Sequence, residues 1–146
     1  MGVISTGSGG VIYAALFDNG LVKIGCTRNE GKRRAILASS GPHKLLRWYS
    51  AVSTHYNLRV EEKSFHELFA EKRVHGEYFR FDFLDWLEWF SQWGCVEWAQ
   101  ENGLLAELHQ FYGAAEQLLA PDFLKAVAEY QPCNIKEDEN LLAEGG

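Results

Sequence analysis

Tyr13 and Lys23 stand ten residues apart in the stretch GGVIYAALFDNGLVKIG, Gly9 to Gly25, on two apolar arms separated by Asp18-Asn19-Gly20. Arg33 follows in a basic run with Lys32 and Arg34, then Glu62 four residues ahead of His66, then Glu77. Side chains of these types can work together. A guanidinium fork matches phosphate oxygens. A lone carboxylate with several waters suits Mg²⁺, which dehydrates reluctantly. A tyrosine, with an ordinary pKa of about 10, becomes a base near neutrality only beside a positive charge. Each residue also has an ordinary alternative. Tyr13 and Lys23 could be hairpin decoration, Arg33 a solvated helix arginine, Glu62 a helix-surface carboxylate, and Glu77 a turn carboxylate packed beside Tyr78 and Phe79. A Glu-x-x-x-His zinc site would need further ligands, and the sequence offers none. His43 and His75 are isolated loop histidines and are assigned no role.

The elements that would position these residues follow from local pattern. Val11 to Phe17 is apolar with β-branched and aromatic content and reads as a strand. Asp18-Asn19-Gly20 is a turn signal, and Leu21 to Cys26 is the return strand. Side chains alternate faces, so loop length decides whether Tyr13 and Lys23 share one. A three-residue loop pairs Tyr13 with Gly25 and Ala15 with Lys23, on one face; a two-residue Asn19-Gly20 loop would put Tyr13 and Lys23 back to back. Thr27 to Glu30 fits a capping box with Thr27 as N-cap, opening a helix to about Ser39 that Gly41-Pro42 ends. Lys44 to Ser53 reads as a third strand, with Trp48 and Ser50 on one face and Arg47 and Tyr49 on the other. Asn57 to Lys72 reads as a helix with Leu58, Glu62, Phe65, His66 and Phe69 on one side. Gly76 to Phe81 is a short turn and strand.

The character then changes. Met1 to Asp82 holds 12 Lys and Arg against 8 Asp and Glu, a net +4; Phe83 to Gly146 holds 2 against 12, a net −10, together the chain's −6. The basic half could meet a polyanion and the acidic half would repel one. Trp86, Trp89, Phe90 and Trp93 form a helical stripe. Leu104 to Leu119 and Asp122 to Tyr130 read as further amphipathic helices, the latter with Pro121 near its start. Residues 1–9 are Gly/Ser-rich and residues 131–146 polar and acidic, so both are expected to be disordered. Three scattered cysteines without a Cys-x-x-Cys argue against a disulfide framework or zinc knuckle. No apolar run reaches the roughly 20 residues of a membrane span, and no signal peptide is evident, so a cytoplasmic protein is expected.

The ordered set of motifs resembles the GIY-YIG nuclease superfamily over about Gly10 to Asp82. "VIY" at Val11 to Tyr13 and "KIG" at Lys23 to Gly25 resemble its paired signatures. Arg33 sits where the family keeps its helical arginine. "VEEKSFHELF", Val60 to Phe69, and "RVHGEYFRF", Arg73 to Phe81, resemble the later blocks of its bacterial and phage branch. Two positions depart from the family name: Val11 replaces a glycine, and Lys23 replaces a tyrosine, as is usual in that branch.

The resemblance implies an α/β fold, a small three-stranded, mainly antiparallel sheet flanked by helices, here followed by an acidic α-helical extension at residues 83–130. It implies divalent-metal-dependent cleavage of DNA, in a bacterial cell or phage-infected host. Tyr13 would contact the attacking water as general base, Lys23 would supply the charge that lowers its pKa, and Arg33 would clamp the scissile phosphate. Glu62 would hold Mg²⁺ or Mn²⁺, with Glu77 as second candidate and Glu61 behind them. His66 could orient Glu62, contact DNA or satisfy a core hydrogen bond. Lys32, Arg34, Lys44 and Arg47, with Lys72 and Arg73, could touch phosphates, which position a protein without reading sequence. The Trp86/Trp89/Trp93 stripe either closes a core or forms an oligomer or partner interface, where tryptophan is enriched. The rival expectation is a catalytically weak or inactive GIY-YIG-like protein that binds nucleic acid, or a host protein through its acidic half.

Overall fold

Val11 to Phe17 is an unbroken apolar run because its strand has neighbours on both edges and both faces covered. The computed structural model describes residues 10–53, 57–114 and 116–129. The expected disordered termini lie outside the described residues. The chain divides into two compact units at the Phe81/Asp82 junction.

In the first unit β1 (Val11–Phe17) and β2 (Leu21–Thr27) form the hairpin, followed by α1 (Glu30–Ser39), β3 (Leu45–Val52), α2 (Leu58–Leu68), β4 (Arg73–His75) and β5 (Tyr78–Arg80). The sheet has the order β3-β1-β2-β5-β4, with antiparallel neighbours throughout. It therefore has five strands, not the expected three. Gly76, at φ +52°, reverses the chain between β4 and β5, and this hairpin extends the sheet beyond β2 by pairing Lys23 with Tyr78 and Val22 with Phe79. Strands of three residues are too short to show a period, which is why β4 was not foreseen.

The hairpin takes the three-residue loop. Tyr13 stands opposite Gly25 and Ala15 opposite Lys23, while Gly20 N–H donates to the Phe17 carbonyl and Leu21 N–H to Asn19 Oδ1. Residues opposite one another share a face, so Tyr13, Ala15, Phe17, Lys23, Gly25, Trp48 and Ser50 lie on one side of the sheet.

Two helix boundaries differ from expectation. Strand β2 continues through Thr27, and the N-cap of α1 is Asn29, whose Oδ1 accepts from the Lys32 N–H at 3.1 Å; Thr27 Oγ1 instead accepts from the Asn29 N–H. Helix α2 stops at Leu68 and a 3₁₀ turn, Ala70–Lys72, replaces its last turn. Its buried face is Leu58, Glu61, Glu62 and Phe65, an unusual pair of carboxylates for an interior.

The second unit holds α3 (Phe83–Gln92), α4 (Val96–Glu101), α5 (Leu104–Tyr112), a 3₁₀ turn (Glu116–Leu119) and α6 (Pro121–Glu129). A reciprocal Asp82/Asp85 capping box starts α3. The expected helix from Leu104 to Leu119 breaks after Tyr112, where Gly113 takes φ +62°. Trp86, Trp89 and Phe90 are buried, and Trp86 Nε1 donates to the Tyr112 hydroxyl at 2.9 Å. Trp86 and Trp89 are thus core, and a partner surface made of them has no support; Trp93 is half-buried, and Trp98 is the exposed tryptophan, at 55%. Among the described residues no helix is long and apolar enough to cross a membrane.

Gly25 is the tightest point of the hairpin. A Cβ there would lie 2.5 Å from the Tyr13 hydroxyl and 2.7 Å from its Cζ. Tyr13, stacked on Trp48 and 2% exposed, cannot swing clear. Gly25→Ala is expected to cost about 1–3 kcal/mol, as overpacking does. Denaturant unfolding checks this, and adding Tyr13→Phe should recover only part of the loss, because the Cζ clash remains.

Candidate active site

The site begins with the Tyr13 ring. It lies flat against the Trp48 indole, centroids 4.4 Å apart and planes within 16°, and its hydroxyl passes over Gly25. The indole N–H of Trp48 donates to Glu30 Oε2 at 2.7 Å, and Ser50 Oγ donates to the same oxygen. Glu30 is in the first turn of α1, and no residue of α1 is buried. A carboxylate that was expected to cap its own helix therefore ties that helix to β3. Arg33, one turn further on, gains its position from this tie, and the Arg34 guanidinium sits 6.0 Å from the Trp48 ring centroid.

Acidic groups arrive beside the middle of β2, where β5 leaves it. Strand β5 stops pairing at Lys23; beyond it the Ile24 N–H donates to the Glu77 carbonyl, and the Ile24 carbonyl accepts from His66 Nε2 at 2.8 Å. A carbonyl can only accept, so His66 Nε2 carries a proton here, and Nδ1 faces Arg73 Nη2 at 3.4 Å. One ligand atom each from Glu62, His66 and Glu77 lies within 4.8 Å of the others. His66 could serve a cation only by releasing one of its present partners, so the two carboxylates are the ready donors. Glu61, beside them in sequence, points elsewhere and accepts from Ser53 Oγ.

The electrostatics follow from burial. Burial pushes the Tyr13 phenol well above the usual tyrosine range; Arg33 offsets this in part, while Glu77, Glu62 and Cys26 add to it. Lys23 does not supply the compensating charge: its Nζ is 2.7 Å from Glu77 Oε1. Burial also raises the Glu62 carboxyl, helped by the nearby Glu77 charge and opposed by His66, Arg59 and a Cys26 hydrogen bond.

The structure thus gathers Tyr13, Lys23, Glu62, His66 and Glu77, with the charge of Arg33 acting on Tyr13. Lys32 and Arg34 are exposed on α1 beside Arg33. Lys44 lies at the far end of the hairpin, where its carbonyl accepts from the Asp18 N–H. Arg47 pairs with Leu16, on the face opposite Tyr13, and turns its Nη1 to the Leu46 carbonyl. The basic residues therefore do not form one surface. Sequence reasoning missed Glu30, Trp48, Ser50 and Cys26. Strand alternation puts Trp48 and Ser50 on one face, but no local signal says which helix lies over it.

A five-stranded antiparallel sheet with helices, carrying a buried tyrosine and a carboxylate pair, defines an α/β domain. The chain belongs to the T5orf172 domain family, found in phage and bacterial nuclease-like proteins; the family model matches residues 10–94. The match runs through α3, past Asp82, where the sequence resemblance ended. No curated protein and no solved structure matches the chain.

Two stability measurements probe this arrangement. Glu30→Ala is expected to lose about 1–2 kcal/mol, from two hydrogen bonds to a charged group, and to speed amide exchange in α1 before the rest of the sheet. Glu62→Gln is expected to stabilise the protein in EDTA at pH 7.5 by about 1 kcal/mol, as relief of a strained functional site commonly does. Because the folded-state carboxyl is raised, its contribution is present at low pH and lost as pH climbs through that raised value. The gain from Glu62→Gln should therefore shrink as pH falls toward 4, which thermal melts across the range would show.

Proposed function

We propose that the chain is a GIY-YIG-type endonuclease that hydrolyses DNA phosphodiester bonds with a divalent cation. The observation that carries this reading is the convergence of the Glu62 and Glu77 carboxylates beside the Tyr13 phenol, within the field of Arg33. The donor set fits Mg²⁺ or Mn²⁺, which take carboxylate oxygens, and the raised Glu62 carboxyl is a charge that a cation would relieve. When bound, the cation would supply Lewis-acid polarisation of a phosphoryl oxygen. The chain's own residues would do the rest. Arg33 binds the scissile phosphate with its planar fork. Tyr13, kept protonated near neutrality by burial, orients the attacking water and passes its own proton to a neighbouring carboxylate as it takes one from the water. Lys23 fixes Glu77 through their ion pair, and His66 holds β2 in place at Ile24.

A second reading, a GIY-YIG-like protein that binds nucleic acid without cutting it, is favoured by one observation. Tyr13 is 2% exposed with its pKa raised, and Lys23 is neutralised by Glu77 rather than available to Tyr13. Plasmid cleavage separates the two. Wild-type protein should cut with Mg²⁺ or Mn²⁺ and not in EDTA. Tyr13→Phe, Arg33→Ala and Glu62→Gln should each slow cutting by about 10²-fold or more, the usual loss for a proton-transfer or charge-stabilising group. Cutting that survives all three substitutions would remove the assigned site. Retained DNA binding with no cutting by the wild type would leave the second reading.

A further inference from the structure

We propose that a cleft of about 340 Å³ bounded by Phe17, Leu21, Leu37, Pro42, His43 and Tyr78 is a subsite for one unpaired nucleobase of the bound strand. The inference rests on the nucleic-acid reading above and deepens it, since it makes the substrate a strand with an unpaired base near the cutting point.

Placement comes first. Phe17 and Tyr13 share a sheet face four residues apart on β1, about 13 Å at the usual strand rise. Tyr78 stands opposite Lys23, level with Ala15, and so lies between the two. A strand whose phosphate is held at Tyr13 and Arg33 can therefore reach the cleft with a base close to that phosphate. The walls suit a flat aromatic guest. The Phe17 and Tyr78 rings, centroids 6.3 Å apart and tilted by 51°, form an apolar floor, while Leu37 and Pro42 close the side. Every base has a π-face that stacks on such rings, which makes binding tolerant of sequence. Asn19, Ser40 and His75 also line the cleft and give polar atoms for a base edge.

Two cations outside the candidate active site stand near the cleft and suit a nucleotide backbone, beside the Asp18 carboxylate that pairs with His43 Nδ1 at 3.1 Å; Lys23, whose Nζ lies 5.4 Å from the Tyr78 ring centroid, is held by Glu77. Lys44 adjoins His43, and the Arg80 guanidinium reaches to within 3.4 Å of where a Cβ on Gly20 would stand. A paired base cannot enter, because its edge and faces are occupied in the stack; an extruded or single-stranded one can.

The test is fluorescence anisotropy of full-length protein, in EDTA, with a labelled single-stranded DNA oligonucleotide and with the same oligonucleotide made abasic at its central positions. Wild-type protein should bind the intact strand about tenfold more tightly, within the range that one stacked base contributes. Leu37→Trp, which fills the cleft, and Ser40→Trp, which fills it from an exposed position, should bring the intact strand down to the abasic affinity. Both should leave the abasic affinity and its salt dependence unchanged, whereas Arg33→Ala should weaken both strands alike. Equal affinity for the two strands in wild-type protein would overturn the subsite and spare the phosphate site. Failure to bind either strand at low salt would overturn both. Discrimination between the strands without Mg²⁺-dependent cleavage would keep the subsite and remove the nuclease reading.

Discussion

The Tyr13 ring lies flat between the Trp48 indole and the bare backbone of Gly25, and the rest of the site is arranged around that contact. The stack itself contributes about 0.5–1.5 kcal/mol beyond the area it buries. Its larger effect is geometric. The glycine lets the phenol cross the neighbouring strand, so the hydroxyl emerges where β2 runs past the end of β5. The same indole spends its N–H on Glu30, so the orientation of Tyr13 and the docking of α1 are set by one side chain. A change in hairpin register by one residue would take Tyr13 off Gly25 and set it against a residue with a Cβ.

The acidic groups depend on a different feature, the early stop of β5. A longer strand would have taken the Ile24 carbonyl into the ladder. Instead His66 satisfies it from α2, and buried peptide groups rarely go without a partner. With His66 held there, Glu62, one helical turn earlier, is brought to the same strand end as Glu77. Beside a buried phenol the Glu77 charge disfavours that of Glu62, and each carboxylate raises the pKa of Tyr13. The Lys23–Glu77 pair relieves part of this, though an ion pair half open to solvent contributes little stability. Its value is in fixing Glu77. The balance of burial against Arg33 decides how readily the phenol gives up its proton.

Much of this was legible in the chain. The apolar, β-branched and aromatic content of Val11 to Phe17, with the return arm Leu21 to Cys26, gave the hairpin, and the Asp18-Asn19-Gly20 turn limited its register to two possibilities. Helical spacing put Glu62 and His66 on one side of α2. What failed had common causes. Thr27 and Glu30 satisfy the pattern of a capping box, but strand pairing extended β2 over Thr27 and left the cap to Asn29, a competition decided by tertiary contacts. The role given to Lys23 rested on its sharing a face with Tyr13, which is so, yet the β4–β5 hairpin brings Glu77 closer. The tryptophan stripe on α3 has the same spacing whether it faces a core or a partner, so periodicity left both alternatives open, and the burial of Trp86 against residues such as Tyr112 decides for a core.

Helix α1 carries Arg33 and yet buries none of its residues; eight of its ten positions are exposed, and only Glu30 and Leu37 are partly covered. Its outer face is therefore free to diverge under selection at small cost to folding. Charges there can be gained, lost or inverted between relatives while the apolar interior of the sheet stays unchanged. If those charges meet the ligand, the family has a place to alter what it grips without redesigning how it folds, provided that one glutamate, one leucine and the indole beneath them are kept.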